Sequence, residues 1–441
     1  MKKRMLVLSF AVLAALLLNG CAMRTIDELY SPPKRSEEYS RLQSAIDIAM
    51  AGLEYSAPLT GEHQQAVQMA DLDGNGVDEY LVFARGNSDK PLQILIFTQL
   101  EDGNVEITEV ITSNGSAYEQ VQYAEIDGKP GVELVVGRQV SEQLMASASV
   151  YSFSSGRAER LVNAGYTKLM TLDLGGSEQK ELLLIQRGES DQSNAIAVLY
   201  RYRAKSMNRS VEVELSLPAS SVKRVSSGNL QGGIPAVYVT SAAEENTLRT
   251  DILALKNDKL TGISVTDAVD HGVHTLGNYH VYAEDVDNDG IMELPDLIPV
   301  KPVSATWKQD DQYLIRWYSV DQEGTQIDKL HSFHNYADGW YLQLESSWTN
   351  RLSVQQVGST YVFYLWDEAF REATAAFTIY ALSGSDRQTQ STEDGRFVLF
   401  GGEDVIYAAR MESGLTASGM TESDLINSFH LIHQAWKTGE T

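Results

Sequence analysis

The chain has 441 residues, 35 Lys and Arg against 60 Asp and Glu, and a formal charge of −25. Hydrophobic residues make up 43% and charged residues 22%, an ordinary globular composition that excludes collagen-like, disordered and polytopic membrane classes. So acidic a chain repels a phosphate backbone, which excludes nucleic acid as an expected partner, and its single Cys excludes an intrachain disulfide.

The first element in chain order is an address. Lys2, Lys3 and Arg4 precede an apolar run, Met5 to Leu18, that is too short to span a bilayer comfortably. The run ends in Leu18-Asn19-Gly20-Cys21, which resembles the lipobox of bacterial lipoproteins. That resemblance implies a signal peptide over residues 1–20, lipidation of Cys21 with palmitate-type acyl chains, and a body on the extracytoplasmic face of the bacterial cell membrane. An ordinary signal peptide with a chance Cys is the alternative. Removing residues 1–20 takes away three cations and no acid, leaving 421 residues at −28. Residues 21–56 read as a tether, with Pro32-Pro33, and a short helix whose Leu42, Ile46, Ala49 and Leu53 share a face.

From about residue 57 to 334 a pattern recurs: an alternating strand, an Asp- or Gly-rich bend, then a strongly apolar strand. The bends begin at Asp71, Glu125, Asp173, Asn229 and Asp285, spaced by 54, 48, 56 and 56 residues. That period fits one four-stranded blade. The expected fold is mainly β, a β-propeller of five or six blades followed by a small α+β domain over 335–441. The motif resembles the FG-GAP/VCBS-like repeats of integrin-type propellers, intact in two copies and eroded in three.

The two intact bends are candidate calcium sites. Asp71, Asp73, Asn75 and Glu79, and likewise Asp285, Asp287, Asp289 and Glu293, put side-chain oxygens at positions 1, 3, 5 and 9. Gly76 and Gly290 stand at position 6, and Val77 and Ile291 at position 7 can each offer a backbone carbonyl. A hard cation such as Ca²⁺ takes six to eight oxygens in a flexible shell of this kind. The role expected of it is structural. The alternative is that these are plain Asp-Gly and Asn-Gly turns between strands. Lys129 at position 5 of the second bend replaces a ligand by a cation, and the third and fourth bends lack most of the acids.

The carboxyl-terminal part, from about residue 335, reads as strands around Trp340–Leu344, Trp348–Val354, Tyr361–Trp366, Ala376–Ala381, Arg396–Phe400 and Val405–Ala409, then a helix capped by Thr421 and Asp424. On that helix Leu425, Phe429, Ile432 and Trp436 share a face, and His430 and His433 are neighbours. Two further H-x-x-H pairs are His271/His274 and His331/His334. As ordinary surface or capping residues they need no metal. Trp317, Trp340, Trp366 and Trp436 are assigned to the core. No nucleophile elbow, Walker loop or zincin motif is present, so no catalytic residue is assigned.

These readings define a membrane-anchored binding or scaffolding lipoprotein whose propeller face contacts an envelope protein or a glycan. The alternative is an extracellular polysaccharide hydrolase or lyase using channel carboxylates. A third reading is a sensor-like accessory lipoprotein of an envelope complex.

Overall fold

Alternating apolar residues in short runs, bounded by Gly, Asn and Asp turns, dictate antiparallel sheet. In the computed structural model of the chain they form six such sheets of four or five strands. The structure describes residues 37–100, 102–140, 146–243, 247–265, 275–276, 279–303, 312–413, 420–434 and 436. Cys21, Trp307 and the His271/His274 pair lie outside the described residues.

Helix α1 (Glu37–Ala49) and β1 (Glu54–Tyr55) lead into the first sheet, β2 (Val67–Ala70), β3 (Glu79–Arg85), β4 (Leu92–Gln99) and β5 (Val105–Ser113). The second sheet is β6 (Ala117–Ala124), β7 (Glu133–Gln139), β8 (Ala146–Ser152) and β9 (Glu159–Tyr166). The third is β10 (Lys168–Leu172), β11 (Glu181–Gln186), β12 (Asn194–Arg203) and β13 (Ser206–Pro218). The fourth is β14 (Val222–Leu230), β15 (Ile234–Ala242), β16 (Leu248–Lys256) and β17 (Lys259–Ile263). A two-stranded piece, β18 (Thr275–Leu276) with β19 (Tyr279–His280), precedes the fifth sheet.

The fifth sheet runs β20 (Leu294–Pro299), β21 (Tyr313–Val320), β22 (Gln326–Asn335) and β23 (Trp340–Leu344). The sixth holds β24 (Leu352–Val357), β25 (Thr360–Trp366), β26 (Ala373–Ser383), β27 (Phe397–Gly401) and β28 (Val405–Met411), with α2 (Arg387–Gln390) between β26 and β27. Helix α3 (Glu422–Ser428) and β29 (Phe429–Leu431) follow, and β29 returns to pair with β23. The residues from 335 on therefore build the sixth sheet and also extend the fifth.

Successive sheets stack face to face as propeller blades do, and the central strands show how. Leu134 and Val136 pack toward the first sheet with Leu81, Phe83 and Ile94, while Val135 between them packs toward the third with Leu182 and Leu184. Leu183 and Ile185 turn the other way, onto Val237 and Val239 of the fourth sheet, and Tyr238 reaches Leu294 and Val320 of the fifth. A strand covered on both faces has no polar side, which is why β3, β7, β11 and β15 read as continuous apolar runs. Helix α1 covers the outer face of the first sheet, with Leu42 and Ile46 against Val82, Leu95 and Phe97. Among the described residues, no buried core joins the sixth sheet to the first.

One expectation about the carboxyl terminus needs correction. Helix α3 has the expected capping box, the Thr421 and Asp424 side chains each holding the other's backbone N–H. It ends at Ser428, however, and Phe429–Leu431 is strand, because the open edge of β23 takes its backbone hydrogen bonds. His430 and His433 are therefore not helical neighbours. His331 and His334 lie on β22, where residues three apart point to opposite faces, so they do not converge either. Trp317, Trp340, Trp366 and Trp436 are all buried as assigned, and so is Trp348, which leaves no exposed tryptophan cluster among the described residues.

Candidate functional site: a row of acidic bends

Four of the bends join the first strand of a sheet to the second; the fifth enters β20, the first strand of its sheet, and is closed at its base by an isolated Glu284–Glu293 bridge. Four share one register, in which the residue before position 1 faces the residue at position 9: Ala70 with Glu79, Ala124 with Glu133, Leu172 with Glu181, and Glu284 with Glu293. The fourth bend is one residue shorter, since Gly228 faces Ala236.

Two devices recur, a Glu clamp in every bend but the fourth and an Asp clamp in the first, third and fifth. Position 2 is apolar and buried in every copy: Leu72, Ile126, Leu174, Leu230 and Val286. Its N–H is thereby withdrawn from water and needs an acceptor. The Glu at position 9 supplies one, accepting from Leu72 at 3.0 Å, Ile126 at 2.7 Å, Leu174 at 2.9 Å and Val286 at 3.0 Å. The second device is the Asp at position 1. In the first bend Asp71 accepts from Gly74, Asn75 and Gly76, and in the third Asp173 accepts from Gly176, Ser177 and Glu178. Asp285 does the same for Asp289 and Gly290 in the fifth.

Neighbouring bends are also hydrogen-bonded to one another. The N–H at position 8 donates to the position 1 carbonyl of the preceding bend: Val132 to Asp71 at 3.2 Å, Lys180 to Glu125 at 2.7 Å and Met292 to Asn229 at 2.9 Å. Contact between the first two is close enough that a Cβ on Gly74 would fall 2.3 Å from the Pro130 carbonyl carbon. At the remaining junction the residue before Ala236 is Pro235, which has no N–H to give. A polar cleft of about 290 Å³ opens there, lined by Asp173, Lys180, Ser227, Asn229 and Pro235 among others.

The bends differ in what faces their acids. In the first, the carboxylate oxygens of Asp71, Asp73 and Glu79 lie within 4.8 Å of one another. Glu79 is 4% exposed, and its Oε1 has no hydrogen-bond partner. Burial pushes its carboxyl above the usual range; the Leu72 N–H pulls the other way, and Asp73 and Asp71 add to the rise. Asn75 turns its Oδ1 to the Val77 N–H, and Val77 itself is exposed. In the fifth bend Asp285, Asp287 and Asp289 gather within the same 4.8 Å, while Glu293 is fully buried and its Oε1 again lacks a hydrogen bond. Burial pushes the Glu293 carboxyl up to about 8, against the pull of the Val286 N–H. Ile291 donates its N–H to Asp289.

In the second, third and fifth bends cations of the chain answer some of these acids. Lys129 Nζ lies 2.8 Å from the buried Asp127 Oδ2, which also accepts from Ser152. Burial works against that charge, yet Lys129 and Ser152 hold the Asp127 carboxyl below its usual range. Arg201 from β12 reaches Glu181 at 3.2 Å. Lys329 from β22 pairs with Asp289 and lies 3.9 Å from Glu293 Oε1. Sequence reasoning missed Arg201 and Lys329, which stand far along the chain in strands that carry no motif. It also missed the recurring apolar residue at position 2, which was visible in the aligned copies.

A second cleft, of about 570 Å³ and mostly apolar, lies between α1 and β2 and is lined by Tyr39, Leu42, His63, Val67, Met69 and Tyr80 among others. No described helix is long and apolar enough to cross a membrane.

No protein-family model matches the chain, and no curated protein does. Its similarities are to solved structures. A rhamnogalacturonan lyase is 12% identical at a TM-score of 0.28, with 74% of this chain and 66% of that chain covered, so the chain spans just under two thirds of the lyase. The β-propeller domain of the Trilobed protease from Pyrococcus furiosus, described as having an open velcro topology, is 11% identical at 0.28, covering 72% and 90%. A protein from Lactobacillus plantarum is 9% identical at 0.29, covering 72% and 85%. The sheets themselves make the chain a mainly β protein built of antiparallel blades.

Proposed function

We propose that this chain is a lipid-anchored, extracytoplasmic binding or scaffolding protein whose rim of bends is stiffened by calcium. The observation that carries the calcium part is Glu79 Oε1: a buried, partnerless carboxylate oxygen facing two further acids in a bend that recruits no cation of its own among the described residues. A divalent ion would satisfy that oxygen and offset the repulsion among the three. The Asp285–Glu293 bend is the second candidate. The membrane part rests on the lipobox-like Leu18–Cys21 run. The binding part rests on geometry, since zipped bends from successive blades make a broad rigid edge suited to a protein or glycan surface. The same rim suits a polysaccharide hydrolase or lyase less well, because its acids are used to hold backbone N–H groups.

Thermal melts in chelator and in millimolar Ca²⁺ test the metal. At tenfold over its dissociation constant the ion adds about 1.4 kcal/mol, a shift that Asp71→Ala abolishes. Equal melts in both buffers would remove calcium from the reading. Labelling with a fatty-acid analogue tests the anchor, and Cys21→Ala is expected to release the chain from membranes. Crosslinking from the native envelope then identifies the partner.

A further inference from the structure

The two candidate bends carry the same acids at positions 1, 3 and 9 in the same register, yet they are not equivalent. Lys329 enters the fifth from β22, forty residues along the chain from Asp289. Its ammonium pairs with Asp289 at position 5 and stands 3.9 Å from the orphan Oε1 of Glu293 at position 9. The side chain is 16% exposed, so it is packed into the bend and does not trail in solvent. Position 5 of the first bend is the neutral Asn75, and among the described residues no Lys or Arg forms an ion pair with Asp71, Asp73 or Glu79. We infer that Lys329 is a built-in counter-cation that sets how many ions this chain holds: it occupies the fifth bend from within and confines tight Ca²⁺ binding to the first.

The reasoning is electrostatic. A divalent ion gathered by Asp285, Asp287 and Asp289 would have to share Asp289 with the ammonium already paired to it, which also stands 3.9 Å from Glu293 Oε1. Either the ion shares that space against a like charge a few ångströms away, or the lysine withdraws from a largely desolvated position. The first bend imposes neither cost. Lys329 is thus a specificity-determining residue that binds no ion itself.

The inference rests on the calcium reading above, and equilibrium dialysis with ⁴⁵Ca²⁺ on the full chain in detergent separates the two. The wild type is expected to hold one tight ion, lost in Asp71→Asn and kept in Asp285→Asn. Lys329→Met is expected to hold two, the second at least about tenfold tighter than any second ion in the wild type. Lys329→Gln, which retains a polar head for Asp289, serves the same test should the Met variant fail to fold. Adding Asp285→Asn to either variant removes the gained ion alone. Two equal ions in the wild type, or a single ion retained in both Lys329 variants, overturns the inference and leaves the calcium reading standing. A wild-type ion that depends on Asp285 and not on Asp71 also overturns it. No ion in any variant overturns both.

Discussion

The first and second bends share a backbone and differ in how their charge is neutralised. Both keep the position 2 anchor, Leu72 or Ile126, and both clamp its N–H with a buried Glu. The first leaves Glu79 Oε1 unanswered beside Asp71 and Asp73, whereas the second closes on itself through Lys129, Asp127 and Ser152. A bend of this shape therefore does not owe its form to a metal. Its acids divide into one that organises backbone and others that need a counter-charge, and the counter-charge can be tethered or free.

Four measurements test that division, in order of expected effect. Truncating the shared anchor, Leu72→Ala or Ile126→Ala, is expected to cost about 3 kcal/mol in either bend, because each leaves a cavity in a packed interface. Urea midpoints should show the two losses equal and insensitive to Ca²⁺; a large inequality would break the idea of a common frame. Lys129→Met leaves the buried Asp127 without its cation and is expected to cost about 2 kcal/mol, which Asp127→Asn should largely restore in the double variant. Glu79→Gln keeps an acceptor for Leu72 while halving what the bend offers an ion at that position. It is expected to abolish the gain of about 1.4 kcal/mol that Ca²⁺ gives the wild type at tenfold over its dissociation constant, with no loss in chelator.

The smallest effect is one of pH. Burial raises the Glu133 carboxyl above its ordinary value. A raised acid is protonated more in the folded than in the unfolded chain, so its contribution is full below about pH 4.5 and is lost as pH rises through the folded value. Glu133→Gln should then be more stabilising at pH 7 than below pH 4.5, read from urea midpoints at the two pH values. A variant less stable at pH 7 than at pH 4.5, relative to wild type, would show that the carboxylate's clamp on Ile126 and Asp127 outweighs its burial.

Much of this was legible in the sequence because the repeat is local. Blade spacing, the apolar second strands and the acids of Asp71–Glu79 and Asp285–Glu293 all follow from residues a few positions apart. The cations that answer those acids were not legible: Arg201 and Lys329 meet Glu181 and Asp289 only through strand pairing across a blade. The end of α3 was misread for a related reason. Phe429, Ile432 and Trp436 have helical spacing, yet the free edge of β23 offers the backbone of 429–431 a better partner than another helical turn. Local periodicity reports which residues are buried, and the edge decides in which conformation.

Pro235 carries one more consequence. The peptide links that run from bend to bend join the first three as one string and the last two as another. Between the third and fourth sheets the ties are of other kinds: an apolar core, Arg201 and Arg203 on Asp258, and Ser216 on Asp251. A load applied to the rim at that seam therefore passes to packed side chains and ion pairs, with no bend-to-bend peptide link to share it.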